Sequence, residues 1–345
     1  MRVLVGLSGG VDSSAVVSHF REGGHEVIAA TLVMQHGTYP VPPEMALERA
    51  RITCEGLGVR FVTADVSQTF REVVVDRFLR EYSVGRTPNP CVACNPAVKF
   101  AALGRLADEN GCDVMATGHY VGTSLCPDGL TRLVRGSDPM RDQSYFMCRL
   151  TEGIVSRCVF PLATKDKPDV RSYAAAHYLP AADASDSEGV CFAPEGDYRE
   201  LIRERMPEAF EEGTIEDDDG AILGKHEGVC GFTIGQRRGL GLAGGPFFVT
   251  RIDAGKRKVI VRKGEPPRSS SFVVDEATFI GESPCDDDDL LVQTHFHAPA
   301  QPARLTPIGK GRYEVSLVDS TVLAVGGQTA AFYHGDTVLG GATIA

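Results

Sequence analysis

Two groups of residues have the types and spacing to do chemistry. The first is Ser8-Gly9-Gly10-Val11-Asp12-Ser13-Ser14, which follows the apolar run Val3 to Leu7 and precedes a helical pattern from Ala15. Paired glycines let the backbone approach an anion, and a helix start presents free N–H groups and the positive end of its dipole. With three serine hydroxyls added, the segment suits phosphate. It lacks the Gly-Lys-Ser/Thr ending of a Walker A loop and the Gly-x-Gly-x-x-Gly spacing of a dinucleotide fingerprint. The second group is thiols. Thr87-Pro88-Asn89-Pro90-Cys91-Val92-Ala93-Cys94-Asn95 reads as an extended, rigid loop before a helix carrying Lys99, and a helix start and a lysine beside Cys94 lower its pKa toward that of a nucleophile. Ser185-Asp186-Ser187-Glu188-Gly189-Val190-Cys191-Phe192 is a polar turn that delivers another thiol. Cys-x-x-Cys is also half of a zinc site, but no second close pair supplies the other ligands.

The elements that position these groups follow from the hydrophobic pattern. Strand-like runs Val3 to Leu7, Val27 to Val33, Val59 to Ala64 and Asp113 to Gly118 alternate with helical stretches to about Gly23, from Pro43 to Leu57, Phe70 to Tyr82 and Val98 to Asn110. The expected fold class is α/β, a doubly wound parallel sheet followed by two small β-rich domains, with the boundaries 1–205, 206–268 and 269–345. Ligands of such sheets sit beyond the C-terminal strand ends, so Gly118 and Ser8 are expected to line one crevice. Seven acidic residues between Glu208 and Asp219 read as a solvated turn, and Asp286 to Asp289 as another. Short β runs at Phe247 to Ile252, Lys258 to Val261, Tyr313 to Val318 and Thr329 to Tyr333 fill the rest.

A formal charge of −11 argues against binding nucleic acid through the overall field, although Lys225 to Arg268 holds ten basic residues against three acidic ones. Ten irregularly spaced cysteines, no apolar leader and no run long enough for a membrane span point to a reduced cytoplasm and no membrane. Cys54, Cys112, Cys148, Cys158 and Cys230 read as core residues, and Cys126 and Cys285 as incidental turn residues.

Ser-Gly-Gly-x-Asp-Ser resembles the PP-loop pyrophosphatases, which cleave ATP between the α and β phosphates. Together with Thr87 to Phe100, Asp186 to Phe192, Ala116-Thr117-Gly118-His119-Tyr120, Asp142-Gln143-Ser144-Tyr145-Phe146, Phe232 to Gly241 and Gly327-Gln328, the chain resembles the bacterial tRNA-specific 2-thiouridylases almost end to end. That resemblance implies that ATP adenylates the C2 oxygen of a wobble uridine in tRNA and sulfur displaces AMP. By the same resemblance ATP is held by Gly6, Leu7, Ser8, Gly9, Gly10, Val11, Asp12, Ser13, Leu32 and Gly118, with Asp12 an organiser of Mg²⁺ or a helix cap. The target base meets Asn89, Pro90 and Cys91, and tRNA meets His119, Arg141, Asp142, Gln143, Gln328, His295 and Phe296. Cys191 receives sulfur as a persulfide from a cysteine desulfurase or a sulfur-relay protein, Cys94 is the nucleophile, and a Cys94–Cys191 disulfide results.

Two departures from the family pattern stand out: Cys91 where some members carry aspartate, and Gly326 in place of the more usual proline, which predicts a looser turn before Gln328. The first leaves open an alternative in which Cys91, Cys94 and Cys191 ligate an iron-sulfur cluster. The remaining readings are a PP-loop ligase or amidotransferase acting on a small molecule, and a nucleotide-sensing RNA-binding protein without chemistry.

Overall fold

The computed structural model describes residues 1–36, 39–184, 189–193, 198–285, 287–319 and 322–345. Ser185 to Glu188, with the expected Asp186-Ser187 turn, and Asp286 lie outside them. The chain opens with strand β1 (Arg2–Gly6), helix α1 (Val11–Glu22), strands β2 (Glu26–His36) and β3 (Tyr39–Val41), helix α2 (Glu44–Leu57) and strand β4 (Arg60–Asp65). Helix α3 (Ser67–Phe70) runs through a π-helical turn, Arg71–Val75, into α4 (Asp76–Ser83). Helix α5 (Pro90–Cys94) likewise runs through π-helical Asn95–Phe100 into α6 (Ala101–Glu109). The helix α1 therefore starts four residues earlier than the apolar pattern predicts, at the glycine pair itself.

Strand β5 (Val114–Ala116), the hairpin β6 (Val121–Leu125) and β7 (Thr131–Arg135), helices α7 (Ser144–Met147) and α8 (Glu152–Val155), strand β8 (Cys158–Val159), and helices α9 (Lys167–Ala176) and α10 (Tyr198–Arg205) follow. Strands β4, β2, β1, β5 and β8 pair side by side and all run parallel, while β3 folds back antiparallel on the end of β2. Alternation along β1 sends Val3 and Val5 into one core with Val16, Val17 and Phe20, and Leu4 into the other with Phe70, Phe78 and Phe100. Both faces are thus covered. The connections leave β1 toward β2 on one side and reach β5 on the other, so the topological switch lies at the C-terminal ends of β1 and β5.

Four strands, β9 (Gly213–Glu216), β10 (Ile222–His226), β11 (Phe247–Asp253) and β12 (Lys258–Lys263), form a small sheet in the order β10-β9-β12-β11. The acidic run does form the expected exposed turn at Asp217 to Gly220, between β9 and β10, but Glu216 is drawn into the sheet: it is buried in β9, 2.8 Å from Lys258 Nζ, and Asp218 on the turn lies 2.6 Å from Arg262 Nε. Glu211 pairs with Arg257 and Glu212 with Lys225. Much of the expected basic excess is neutralised inside the module.

The remaining strands are β13 (Ser271–Phe279), β14 (Leu290–Gln293), β15 (Gln301–Gly309), β16 (Arg312–Leu317), β17 (Thr329–His334) and β18 (Thr337–Ile344). They pair in the order β13-β16-β15-β14-β17-β18, and β13 closes on β18 to make a six-stranded barrel. Closure leaves no free edge, yet β18 extends past it to meet β7, so the early hairpin β6–β7 joins the barrel sheet. Among the described residues no helix is long and apolar enough to cross a membrane.

Candidate active site

The glycine-rich turn sits at the switch point. Gly9 has φ +77°, and a Cβ there would lie 1.9 Å from Ala46 O, so only glycine fits between β1 and α2. Gly10 is the N-cap of α1 and offers no side chain to cover the first-turn N–H groups. The first helical bond runs from Ser14 N to Gly10 O at 3.1 Å, which leaves the preceding N–H groups for an anion. Ser13 Oγ accepts from Ser8 N at 3.1 Å and shares a 3.1 Å bond with Ser8 Oγ, which fixes the curl of the turn. Leu7 N donates to Ala30 O at 2.8 Å, and Leu32 is buried farther along β2.

Asp12 is neither the N-cap nor a free carboxylate. Tyr120 Oη donates to its Oδ1 at 2.8 Å, and Lys167 Nζ to its Oδ2 at 2.6 Å. Both oxygens are engaged, so Asp12 as it stands does not fit the expected Mg²⁺ ligand. Lys167 was invisible to motif reasoning because it lies 155 positions away. Its local signal is only Asp166, which caps α9 by accepting from Asp169 N at 2.9 Å.

From this turn the site continues through β5. A Cβ on Gly118 would lie 2.9 Å from Asp12 C and Ser13 N, so the glycine lets the end of β5 touch the turn, as expected of one crevice. His119 follows, with Nδ1 2.8 Å from Thr117 Oγ1 and its ring 5.9 Å from that of Phe100. Burial, reinforced by the charge of Lys99, holds its pKa down at about 3, so the ring is neutral.

The thiols do not lie on an extended loop. Pro90 stands in the first turn of α5, and Asn89 caps it by accepting from Val92 N at 3.4 Å, so Cys91 and Cys94 share one helical face. The π-helical turn after Cys94 widens the spiral and re-aims Lys99 toward them. Burial acts to lower the pKa of this ammonium, but its coupling to the ionisable thiols of Cys94, Cys91 and Cys191 outweighs burial and raises it.

The expectation of a lowered Cys94 pKa is overturned. Burial pushes that thiol up to about 12, against the opposing pull of Lys99. Cys191 is pushed up as well, by burial of its sulfur, with Lys99 again opposing, although the residue keeps surface open to solvent. The open surface governs access to Cys191, and the crowding around its sulfur governs its acidity. Its neighbour Phe192 anchors the segment, with ring centroids 5.6 Å from Phe70 and 5.2 Å from Phe78. All ten cysteines are free; Cys54, Cys112, Cys148, Cys158 and Cys230 are buried, and Cys126 and Cys285 lie at turns. Among the described residues no group of three or more Cys, His, Asp or Glu side chains is arranged to hold a metal ion.

Several residues expected to touch nucleic acid are engaged inside the chain. Asp142 is buried and accepts from Arg135 Nη1 at 2.9 Å, Gly136 N at 3.0 Å, and Ser144 N and Oγ at 3.0 and 2.7 Å. Gln143 Oε1 accepts from Tyr120 N at 2.9 Å. Gln328 Nε2 donates to Thr87 O at 2.9 Å, and Thr87 N donates to Gly326 O at 2.9 Å. A Cβ on Gly327 would lie 3.0 Å from Thr87 backbone atoms, so this turn is seated against the thiol strap and not loosened by Gly326. Arg141 and His295 are exposed, and Phe296 packs on Phe146 with centroids 4.5 Å apart.

Three protein-family models tile the chain: a tRNA methyl transferase HUP domain over residues 1–195, a tRNA methyl transferase PRC-barrel domain over 199–263 and an aminomethyltransferase β-barrel domain over 269–344. The chain is similar to the tRNA-specific 2-thiouridylase MnmA of Chloroflexus aurantiacus, 40% identical over 99% of this chain and 98% of that protein. Proteins of the same name from Roseiflexus castenholzii and Geobacter metallireducens are 38% and 36% identical, over 100% and 99% of this chain and 99% and 96% of theirs. Among solved structures, a 4-thiouridine synthetase–RNA complex with bound ATP aligns with 60% of this chain and 50% of that one, at 16% identity and a TM-score of 0.37.

Proposed function

The chain belongs to the tRNA-specific 2-thiouridylases, tRNA-uridine 2-sulfurtransferases with an ATP-binding PP-loop domain, and from that membership we propose a mechanism for its own residues. The observation that carries it is the contiguity of the Ser8–Ser13 turn, Gly118, His119, Lys99 and the thiols Cys94 and Cys191 beyond the C-terminal edge of the parallel sheet.

ATP lies with its phosphates on the free N–H groups of α1 and the serine hydroxyls of the turn, beside Gly6, Leu7 and Leu32. The C2 oxygen of the wobble uridine attacks the α-phosphorus, forming the O–Pα bond and breaking the bond from Pα to pyrophosphate. Uracil oxygen, a poor leaving group, becomes part of AMP, a good one. Cys191 carries the sulfur as a persulfide, because its solvent-open surface admits a cysteine desulfurase or a sulfur-relay protein. The terminal sulfur attacks C2 and expels AMP. Buried Cys94 then attacks the Cys191 sulfur, breaking its bond to the transferred sulfur and leaving 2-thiouridine and a Cys94–Cys191 disulfide. Lys99 stabilises the Cys94 thiolate that this step needs. Asn89 and Pro90 border the thiol face, where the target base must sit. No step runs through a metal cluster.

The test is thiolation of unmodified tRNA with ATP and a persulfide donor, read as 2-thiouridine by mass spectrometry, on protein purified anaerobically and assayed for iron. Activity without iron that disappears in Cys94→Ser and Cys191→Ser supports the route. Iron in stoichiometric amount and required for activity defeats it.

A further inference from the structure

Cys91, which the family resemblance places at the target base, makes and breaks no bond in this sequence of steps, yet it sits beside the two thiols that do. Cys91 and Cys94 are separated by one turn of α5, a stretch whose helical bond from Asn95 N to Cys91 O is in place. Residues three apart in an α-helix have Cα atoms about 5 Å apart, inside the Cα range of a disulfide, and Cβ atoms about 5–6 Å apart, so the bond closes with a small tightening of this first helical turn. Cys94 is electrostatically coupled to both Cys191 and Cys91, Cys191 to Cys91, and Lys99 to all three. Cys94 is 4% exposed, whereas Cys91 is half-buried and so the more accessible end of the pair.

We propose that Cys91 is the resolving thiol, which takes over the Cys94 end of the Cys94–Cys191 disulfide and frees Cys191 for another sulfur. The proposal rests on the persulfide route above. The Cys91 thiolate attacks Cys94 Sγ; the Cys91–Cys94 bond forms, the Cys94–Cys191 bond breaks, and Cys191 leaves as a thiolate beside the Lys99 ammonium. The proton of Cys91 passes to solvent. This exchange is redox-neutral. A small dithiol of the dithiothreitol class, or a dithiol protein, then reduces Cys91–Cys94 and is itself oxidised to a disulfide, restoring both thiols. An attacking group already held on the same helical turn acts at an effective concentration far above that of a millimolar reductant in solution. Attack at Cys94, and not at Cys191, leaves the sulfur-accepting thiol unmodified.

The experiment is a single turnover of persulfide-loaded enzyme with ATP and unmodified tRNA without reductant, quenched with an alkylating agent and mapped by peptide mass spectrometry. Cys91 and Cys94 lie on one tryptic peptide and Cys191 on another. The expected result is an internal link within the first peptide and an alkylated Cys191 in the native chain, and a cross-link of the two peptides in Cys91→Ser. A cross-link between Cys94 and Cys191 that persists in the native chain would overturn the resolving role while sparing the route beneath it. Absence of either link in both proteins, with 2-thiouridine formed, overturns the persulfide route itself.

Discussion

Lys167 Nζ lies 2.6 Å from Asp12 Oδ2, so the carboxylate in the first turn of α1 is held by a lysine from the first turn of α9. The pair stands at the rim of the phosphate turn, and Lys167 is buried. Phosphates seated on this turn would find the Lys167 ammonium already paired with Asp12.

Lys167→Met leaves Asp12 with only Tyr120 and a partly buried charge without its counter-ion. The expected cost is about 1–3 kcal/mol, below that of breaking a fully buried pair because the Asp12 side chain is 28% exposed. Chemical denaturation measures it, and the KM for ATP should rise in the same variant, with Lys167→Arg intermediate. An unchanged KM removes Lys167 from the phosphate site.

Lys99 is expected to set the reactivity of Cys94. With that thiol pushed up to about 12 the thiolate is the minor form at neutral pH, so its alkylation should accelerate about tenfold per pH unit from pH 7 to 10 without levelling. Lys99→Met removes the cation that opposes burial at this thiol and shifts the profile to still higher pH, and Lys99→Arg should restore much of it. A profile that levels near pH 8.5 in the native chain contradicts the burial argument.

The parallel sheet, the phosphate turn and the three thiols were legible because each is written locally: Val3 to Leu7 is a buried strand, and two glycines with serines form a turn wherever they fold. Cys94 shows where locality ends. A nearby lysine and helix start predict an acidic thiol, but the packing of Phe100, Val92 and Val98 around the helix, which desolvates Cys94, is a property of the assembled core. Glu216 marks the same limit within the acidic run, since it meets Lys258 only when β9 and β12 pair in parallel across 42 positions. Asp142 is likewise defined by Arg135, itself stacked 3.8 Å over the Tyr333 ring of the distant barrel.

Gln328 tests whether the barrel positions the thiol helix. Its bond to Thr87 O, with the bonds from Thr87 N to Gly326 O and from Arg86 Nη2 to Ile344 O at 2.8 Å, ties the strap before α5 to the barrel. Gln328→Ala should cost about 1 kcal/mol of stability and lower kcat while leaving tRNA affinity nearly unchanged. A weakened Kd with kcat intact instead makes Gln328 a direct RNA contact.

The middle module carries as many acidic as basic side chains between residues 206 and 268, ten of each, so a grip of this module on phosphate would have to come from cations that the folded sheet does not neutralise. Lys225, Arg257, Lys258 and Arg262 are paired with Glu212, Glu211, Glu216 and Asp218. Arg237 and Arg238 are exposed, lie between the left-handed Gly235 and Gly239, and make no ion pair with any described residue. Replacing either by alanine should weaken tRNA binding across sequences and reduce the magnitude of the slope of log K against log salt by about 1 for each phosphate no longer neutralised. Arg262→Ala serves as the comparison: it removes the same formal charge but releases Asp218 into the field, so it should weaken affinity by repulsion and leave the number of neutralised phosphates as it was. Equal salt slopes in the native chain and in Arg237→Ala/Arg238→Ala would place the RNA-binding surface elsewhere, with Arg141 and His295 at the junction of the α/β domain and the barrel as the next residues to replace.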